Sequence, residues 1–164
     1  MNIPAQMDDT ADNPYVRFLA GVSGSQRSLL AVHWELTYRC NERCIHCFLD
    51  VRAPNAQVSA ELTTQECFHV IDQLAELGAM NLTFSGGEPL LRSDFFEVMS
   101  YARRRHFTVR IFTNGTLVDD AAADRIHSLH PYAVEISLYG VDAATHEAIT
   151  QIPHSFELTR RAFR

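Results

Sequence analysis

The sequence predicts an α/β fold of parallel strands, and three observations lead to that prediction. Four apolar segments rich in β-branched and aromatic residues lie at residues 29–37, 81–85, 108–113 and 133–138. Amphipathic patterns with helical spacing fill the intervals between them. The unusual motifs of the chain each follow directly after one of these segments. Repeated strand–helix units require parallel strands joined by crossovers, so we expect a doubly wound sheet, a barrel or a partial barrel.

The composition fits one globular core and argues against two classes of partner. The chain has 164 residues, of which 46% are hydrophobic and 21% are charged. Its net charge is −6 and its basic residues are scattered apart from the run at residues 103–105, so we expect no nucleic acid partner. No apolar stretch approaches the roughly 20 residues that span a membrane, and the N-terminus lacks a secretory pattern. We therefore expect a cytoplasmic protein without a membrane partner.

The first residues differ in pattern from the rest of the chain. Residues 1–14 are polar and acidic without periodicity, a short amphipathic helix is predicted at residues 15–19, and Gly21 and Gly24 mark a loop. We therefore expect residues 1–28 to form a partly disordered N-terminal extension. The predicted domain then spans residues 29–164. One domain is the expectation for a chain of this length.

The helices of this domain have identifiable ends. The first begins with the capping box of Thr63 and Glu66 and ends at Gly78, where a left-handed residue is expected. The arginine run at residues 103–105 suits the solvated end of the second helix. Further helices are predicted to start at the N-cap Ser93, at Asp119 or Asp120 with an end before Pro131, and within residues 155–159.

Three cysteines follow the first predicted strand at spacings of four and three residues: Cys40, Cys44 and Cys47. Thiolates at such short spacing suit an iron–sulfur cluster or zinc, and a structural zinc site needs a fourth ligand. His46 can supply one, although its place between two ligands makes this sterically awkward. Three ordinary buried cysteines is a further interpretation, which the tight spacing disfavours. The fourth cysteine, Cys67, lies on an apolar helix face and is expected in the core.

Other motifs follow the next three strands, and the carboxyl ends of parallel strands meet at one edge of a sheet. The motifs are the run from Ser85 to Pro89, with Gly86, Gly87 and Glu88, then Asn114-Gly115, and then the segment from Ser137 to Gly140. The two adjacent glycines let a backbone approach a ligand closely. Each motif also has a structural interpretation as a turn or as a hydrogen-bonded strand residue.

The cysteine spacing together with Gly-Gly-Glu-Pro resembles the radical S-adenosylmethionine (SAM) superfamily. The resemblance implies a partial (β/α) barrel and a 4Fe-4S cluster held by the three cysteines, with SAM on the fourth iron. It also implies reductive cleavage of SAM to a 5′-deoxyadenosyl radical. The motifs Glu-Leu-Thr-Tyr-Arg-Cys, Gly-Gly-Glu-Pro-Leu-Leu-Arg, Phe-Thr-Asn-Gly-Thr and Ser-Leu-Tyr-Gly resemble SPASM-type maturases of peptides, enzymes and cofactors.

The same resemblance implies roles for the remaining motif residues. The turn of Gly86, Gly87 and Glu88 holds the SAM amino group, His46 lies against the adenine, Asn114 reaches towards SAM, and Ser137 contacts the ribose. It also implies a peptide or protein substrate and an electron donor such as flavodoxin or ferredoxin.

The resemblance implies six strand–helix units, whereas about four are visible in this sequence. We therefore expect a truncated core that keeps its cluster ligands and binds SAM weakly. Two alternatives stay open: a non-catalytic zinc or iron–sulfur module, and a nucleotide-binding α/β domain. The second is the weaker, because the glycines match no phosphate-binding pattern.

Overall fold

A computed structural model describes residues 21, 29–58 and 61–163 of the chain. The predicted helix at residues 15–19 and nearly all of the predicted N-terminal extension lie outside this range. The elements, in chain order, are β1 (Ala31–Thr37), α1 (Thr64–Glu76), β2 (Asn81–Gly86), a short 3₁₀ helix (Pro89–Leu91), α2 (Phe95–Arg104), β3 (Thr108–Thr113), α3 (Asp120–Leu129), β4 (Ala133–Ile136), α4 (Ala143–Thr150) and α5 (Ser155–Arg161). Within the described part, no helix is both long and apolar enough to cross a membrane.

The four strands form one open sheet in the order β1-β2-β3-β4, and every neighbouring pair is parallel. Leu82 of β2 lies level with Val32 of β1 and with Val109 of β3, and Val134 of β4 lies level with Ile111. This confirms the α/β fold predicted from the alternating pattern. Because all strands run the same way, their carboxyl ends lie along a single edge of the sheet.

The core lies between the central strands and the helices. Alternate residues of β2 and β3 are fully buried, as the period of a strand requires. The α1 helix packs beside α2, and α2 packs beside α3. The residues of this core that are fully buried include Cys67, Ile71, Leu82, Phe84, Phe95, Val98, Met99, Val109 and Ile111. The prediction that Cys67 is a small core residue is confirmed.

The predicted helix ends agree with the structure at α1, α3 and α5. Thr63 and Glu66 form the reciprocal capping box of α1, and Gly78 has a φ of +84° just after its end. Asp119 caps α3 by accepting a hydrogen bond from the backbone of Ala122. Arg104 and Arg105 are exposed at the end of α2, which confirms the solvated end predicted for the arginine run.

Two features of the helices differ from the prediction. The N-cap of α2 is Asp94 rather than Ser93, and its carboxylate makes no capping bond because Arg92 and Thr64 bind it instead. The α4 helix was not predicted, since its eight residues carry only a weak apolar pattern. Its signal was Asp142, which accepts a capping hydrogen bond from Thr145.

A buried ion-pair network joins the end of β1 to the start of α1. Arg92 is only 6% exposed and pairs with Asp94 at 2.7 Å and with Glu61 at 4.0 Å. Its guanidinium also donates to the carbonyl of Leu62 at 3.0 Å. Glu61 in turn pairs with Arg39 at 3.1 Å, directly before the first cysteine.

We predict that Arg92→Met destabilises the protein by about 3 kcal/mol, because it leaves carboxylates in a mostly buried site without their cation. Urea unfolding measures the change. The matched control is Arg110→Met, which removes a half-exposed pair with Glu135 and is expected to cost under about 1 kcal/mol. Equal losses in the two variants would contradict the prediction.

Candidate functional site

A cavity of about 200 Å³ opens at the carboxyl edge of the sheet. Eight of the nine predicted site residues line it: Cys40, Cys44, His46, Cys47, Gly86, Gly87, Asn114 and Ser137. The other lining residues are Glu42, Phe48, Leu49, Val51, Ser85, Phe112, Thr113 and Tyr139. The loops that follow the four strands thus converge on one cavity, as parallel strands require. Of the nine predicted site residues, only Glu88 does not line it.

The cysteine loop is anchored by backbone hydrogen bonds to two distant segments. The amide of Cys40 donates to the carbonyl of Arg52 at 2.9 Å. The amides of Arg43 and Ile45 donate, each at 2.9 Å, to the carbonyls of Thr150 and Ile149 at the end of α4. The unpredicted helix therefore supports the central part of the predicted metal-binding loop.

The three cysteines of the loop are free thiols with increasing exposure along the chain. Cys40 is buried, Cys44 is intermediate and Cys47 is exposed. Burial raises the pKa of Cys40 to about 11, and burial together with Glu42 raises the pKa of Cys44 to about 12. Both are neutral thiols at neutral pH in the metal-free protein, so metal binding must displace their protons.

Within the described part of the chain, no three His, Cys, Asp or Glu side chains form a group that could hold a metal ion. A 4Fe-4S cluster makes a different demand on its ligands, because each thiolate binds a different iron. Three thiols share this cavity, and they can bind three of the four irons of such a cluster. The fourth iron would then be open to another ligand. The donor set and the shared cavity therefore fit such a cluster.

The Gly-Gly turn lies in direct backbone contact with the start of the cysteine loop. The amide of Gly87 donates to the carbonyl of Thr37, and the amide of Glu88 donates to the carbonyl of Arg39, both at 2.8 Å. A Cβ atom at Gly87 would lie 2.2 Å from that Arg39 oxygen, and one at Gly86, where φ is +124°, would lie 2.3 Å from the oxygen of Thr37. No side chain fits at either position.

Glu88 is fully buried behind the cavity wall rather than facing a ligand. Its carboxylate accepts hydrogen bonds from the hydroxyl of Thr113 at 2.9 Å, the amide of Asn114 at 2.8 Å and the amide of Leu90 at 3.0 Å. Burial raises the pKa of this carboxyl to about 7 against the lowering effect of those donors. Glu88 thus ties the Gly-Gly turn to the end of β3, and its side chain does not reach the cavity.

Two of the residues that line the cavity, His46 and Tyr139, have rings in contact with each other. The rings of His46 and Tyr139 meet edge to face with centroids 4.7 Å apart, and Tyr139 stacks on the buried ring of His146 at 5.6 Å. The backbone amide of Ser137 donates to the carbonyl of Thr113 at 3.0 Å. Sequence reasoning identified Ser137 but missed Tyr139, although both lie in the Ser-Leu-Tyr-Gly motif.

Glu42, between the first two cysteines, is a second residue that sequence reasoning missed. Its side chain is buried, and one carboxylate oxygen accepts a hydrogen bond from the thiol of Cys44 at 3.5 Å. The other oxygen has no hydrogen-bond partner among the described residues. Burial raises the pKa of this carboxyl to about 7. The signal that could have identified it is an acidic residue inside the cysteine motif.

Comparisons with known proteins agree with this geometry. The model of the Radical SAM superfamily matches residues 34–164. The AdoMet-dependent heme synthase of Methanosarcina barkeri is 38% identical over 129 residues, which cover 78% of this chain and 36% of the synthase. The mycofactocin maturase MftC of Mycolicibacterium smegmatis is 32% identical over 153 residues, which cover 93% of this chain and 38% of the maturase.

Two solved structures have the same fold. Streptococcus suis SuiB bound to the precursor peptide SuiA aligns with a TM-score of 0.68 at 17% identity, over 96% of this chain and 36% of SuiB. The anSMEcpe structure with bound AdoMet aligns with a TM-score of 0.65 at 22% identity, over 83% of this chain and 38% of that protein. The chain thus spans little more than a third of the length of these relatives.

We predict that Gly87→Ala opens the junction between the two loops, because the new methyl group would collide with the carbonyl of Arg39. The expected result is faster alkylation of Cys40 in the metal-free protein. Peptide mass spectrometry measures the rate of alkylation at this cysteine. Gly78→Ala is the matched control, since its φ is also positive but open space surrounds it. An unchanged rate at Cys40 in Gly87→Ala would contradict the prediction.

We also predict that Glu88 makes the protein less stable as pH rises. Its pKa is about 7 in the folded protein and near 4.5 in the unfolded chain, so the folded state binds more protons between these values. The free energy of unfolding should therefore fall from about pH 5 to about pH 8, and Glu88→Gln should reduce that fall. The control is Glu97→Gln, at an exposed site on α2, which should leave the fall unchanged. A free energy of unfolding that rises over this pH range would refute the prediction.

Proposed function

Because this chain belongs to the radical SAM superfamily, we propose that it uses a 4Fe-4S cluster and SAM to start radical maturation of a peptide or a cofactor precursor. The observation that carries the proposal is the convergence of Cys40, Cys44, Cys47 and the Gly86-Gly87 turn on one cavity. The free thiols suit the reducing environment of the cytoplasm, which we propose as its location.

In this proposal Cys40, Cys44 and Cys47 bind three irons and leave the fourth open to the amino and carboxylate groups of SAM. When bound and reduced, this pair of cofactors supplies a 5′-deoxyadenosyl radical by cleavage of the SAM sulfonium. The chain's own contribution is to hold the thiolates in place through the backbone bonds to Arg52 and to α4.

We propose that SAM lies along the wall between the Gly-Gly turn and the aromatic pair. Gly86 and Gly87 line the cavity and have no side chain to cover their backbone, so the ligand can approach that backbone closely. His46 and Tyr139 offer ring surface for the adenine, and Ser137 offers a hydroxyl for the ribose. Glu88 supports the turn from behind through its bonds to the end of β3.

The cavity also has groups that would exclude water from the reacting atoms. Leu49, Val51 and Phe112 contribute partly buried apolar surface beside the cysteines. Exclusion of water protects a reactive carbon radical from side reactions. These side chains would therefore serve as a barrier rather than as reactive groups.

A peptide is the substrate class we propose. Two kinds of relative support it: the solved SuiB structure contains a precursor peptide, and MftC is a maturase. The reaction consumes an electron, so we also propose a small one-electron donor protein such as flavodoxin or ferredoxin.

We predict that Cys44→Ala abolishes the brown chromophore that forms on anaerobic reconstitution with iron and sulfide, whereas wild type takes up about four irons and four sulfides. Iron and sulfide analysis with electron paramagnetic resonance (EPR) of the reduced protein measures this. The matched control is Cys67→Ala, which removes a core thiol and should keep the cluster. One zinc per chain and no colour in wild type would support the metal-binding module and contradict the proposal.

The same reconstituted protein tests the SAM chemistry. With dithionite as reductant, wild type should convert SAM to 5′-deoxyadenosine and methionine, and Cys44→Ala should produce neither. Intact cluster with no SAM binding by equilibrium dialysis would refute the SAM part of the proposal and leave the cluster part standing.

A further inference from the structure

Three side chains, Asn41, Asn114 and Thr116, form a closed ring of hydrogen bonds beside the first cysteine. The Nδ2 of Asn41 donates to the hydroxyl of Thr116 at 2.7 Å, and that hydroxyl donates to the Oδ1 of Asn114 at 2.6 Å. The Nδ2 of Asn114 donates back to the Oδ1 of Asn41 at 2.8 Å. The ring joins the loop after β1 to the loop after β3.

The orientation of the Asn114 amide follows from one backbone donor. The amide N–H of Thr116 lies 2.9 Å from the Asn114 side chain and can only donate, so the atom that it meets must be the oxygen. The nitrogen of Asn114 therefore faces the other way, towards Asn41 and the sulfur of Cys40, which lies 4.0 Å away.

This arrangement uses the full hydrogen-bonding capacity of the Asn114 amide. A side-chain amide has two donor hydrogens and two acceptor lone pairs. The oxygen accepts from the amide and the hydroxyl of Thr116, and the nitrogen donates to Asn41 and to Cys40. Asn114 is only 7% exposed. All the donors and acceptors of this amide therefore have protein partners, and none is free to bind a ligand in the cavity. The contact that lies outside the ring is the one with the Cys40 sulfur.

The sulfurs of Cys40 and Cys44 have different surroundings. The sulfur of Cys40 accepts from the backbone amide of Glu42 at 3.4 Å as well as from Asn114. The sulfur of Cys44 faces the carboxylate of Glu42 at 3.5 Å and accepts a hydrogen bond from the hydroxyl of Tyr139. Donors directed at a ligating sulfur stabilise added negative charge on a cluster and raise its reduction potential.

We propose that Asn41 is a positioning residue that aims the amide of Asn114 at the Cys40 sulfur and thereby raises the reduction potential of the cluster. This inference rests on the proposed function, since it needs a cluster on Cys40. It gives Asn114 a role towards the cluster instead of the SAM contact that the family resemblance implies. Asn41 acts only through Asn114, because its own amide bonds to Asn114 and Thr116.

The test is the midpoint potential of the reconstituted cluster without SAM, measured by EPR-monitored redox titration of the full chain. Asn41→Ala and Asn114→Ala should each keep about four irons and shift the potential to more negative values. The potential of the double variant should shift no further than that of Asn114→Ala, because both substitutions remove the same N–H···S contact. Asn55→Ala, in an exposed turn, is the matched control and should match wild type.

Thr116→Val guards against loss of structure in the other variants. It is nearly isosteric, removes only the hydroxyl of the ring, and should give a smaller negative shift. If Asn41→Ala loses its iron, the potential of Thr116→Val tests the inference in its place. A wild-type potential in Thr116→Val then overturns the inference.

The remaining outcomes separate two failures. Variants with a full cluster and an unchanged or more positive potential overturn the role of Asn41, while the proposed function stands. An Asn114→Ala variant that binds SAM more weakly at an unchanged SAM-free potential would make Asn114 a SAM contact and also overturn the inference. A wild-type protein that takes up no cluster overturns both.

Discussion

The candidate site depends on the close backbone contact between the cysteine loop and the Gly-Gly turn. Two amides of the turn donate to the carbonyls of Thr37 and Arg39, and the methyl group of an alanine would not fit between the chains. This contact determines where Cys40 leaves the sheet. It also exposes turn backbone to the cavity, so one packing constraint positions the proposed metal ligands and the proposed SAM wall together.

Buried polar side chains stabilise the contact between the cysteine loop and the Gly-Gly turn. Glu88 binds the end of β3, Arg92 binds the end of β1 and the start of α1, and Asn114 binds the cysteine loop. Each of these side chains is almost completely buried and has several hydrogen-bond partners. Such satisfied networks favour one arrangement of the loops, because any other leaves charges or amides unpaired in the interior. These polar side chains thus determine the positions of the loops around the cavity.

Sequence patterns were sufficient for the parallel strands and most helix ends, and together with the family resemblance they predicted about half of the residues that line the cavity. The parallel direction of the strands followed from the alternation of strands and helices, and the capping box of Thr63 and Glu66 located the start of α1. Patterns failed where a side chain has two competing partners. Asp94 binds Arg92 rather than capping its helix, and Glu88 turns inward rather than towards the cavity. Spacing alone does not reveal which way such a carboxylate points, because burial decides it.

The anchoring of the cysteine loop to the end of α4 has a consequence for biosynthesis. Arg43 and Ile45 are synthesised long before Thr150 and Ile149, whose backbone carbonyls accept their hydrogen bonds. Contacts between such distant segments form late, since a long loop must close first. A nascent chain would therefore carry its three thiols on an unanchored segment until residues 149 and 150 have been synthesised. Cluster delivery to a finished domain, rather than to a growing one, is the order of assembly that this topology favours.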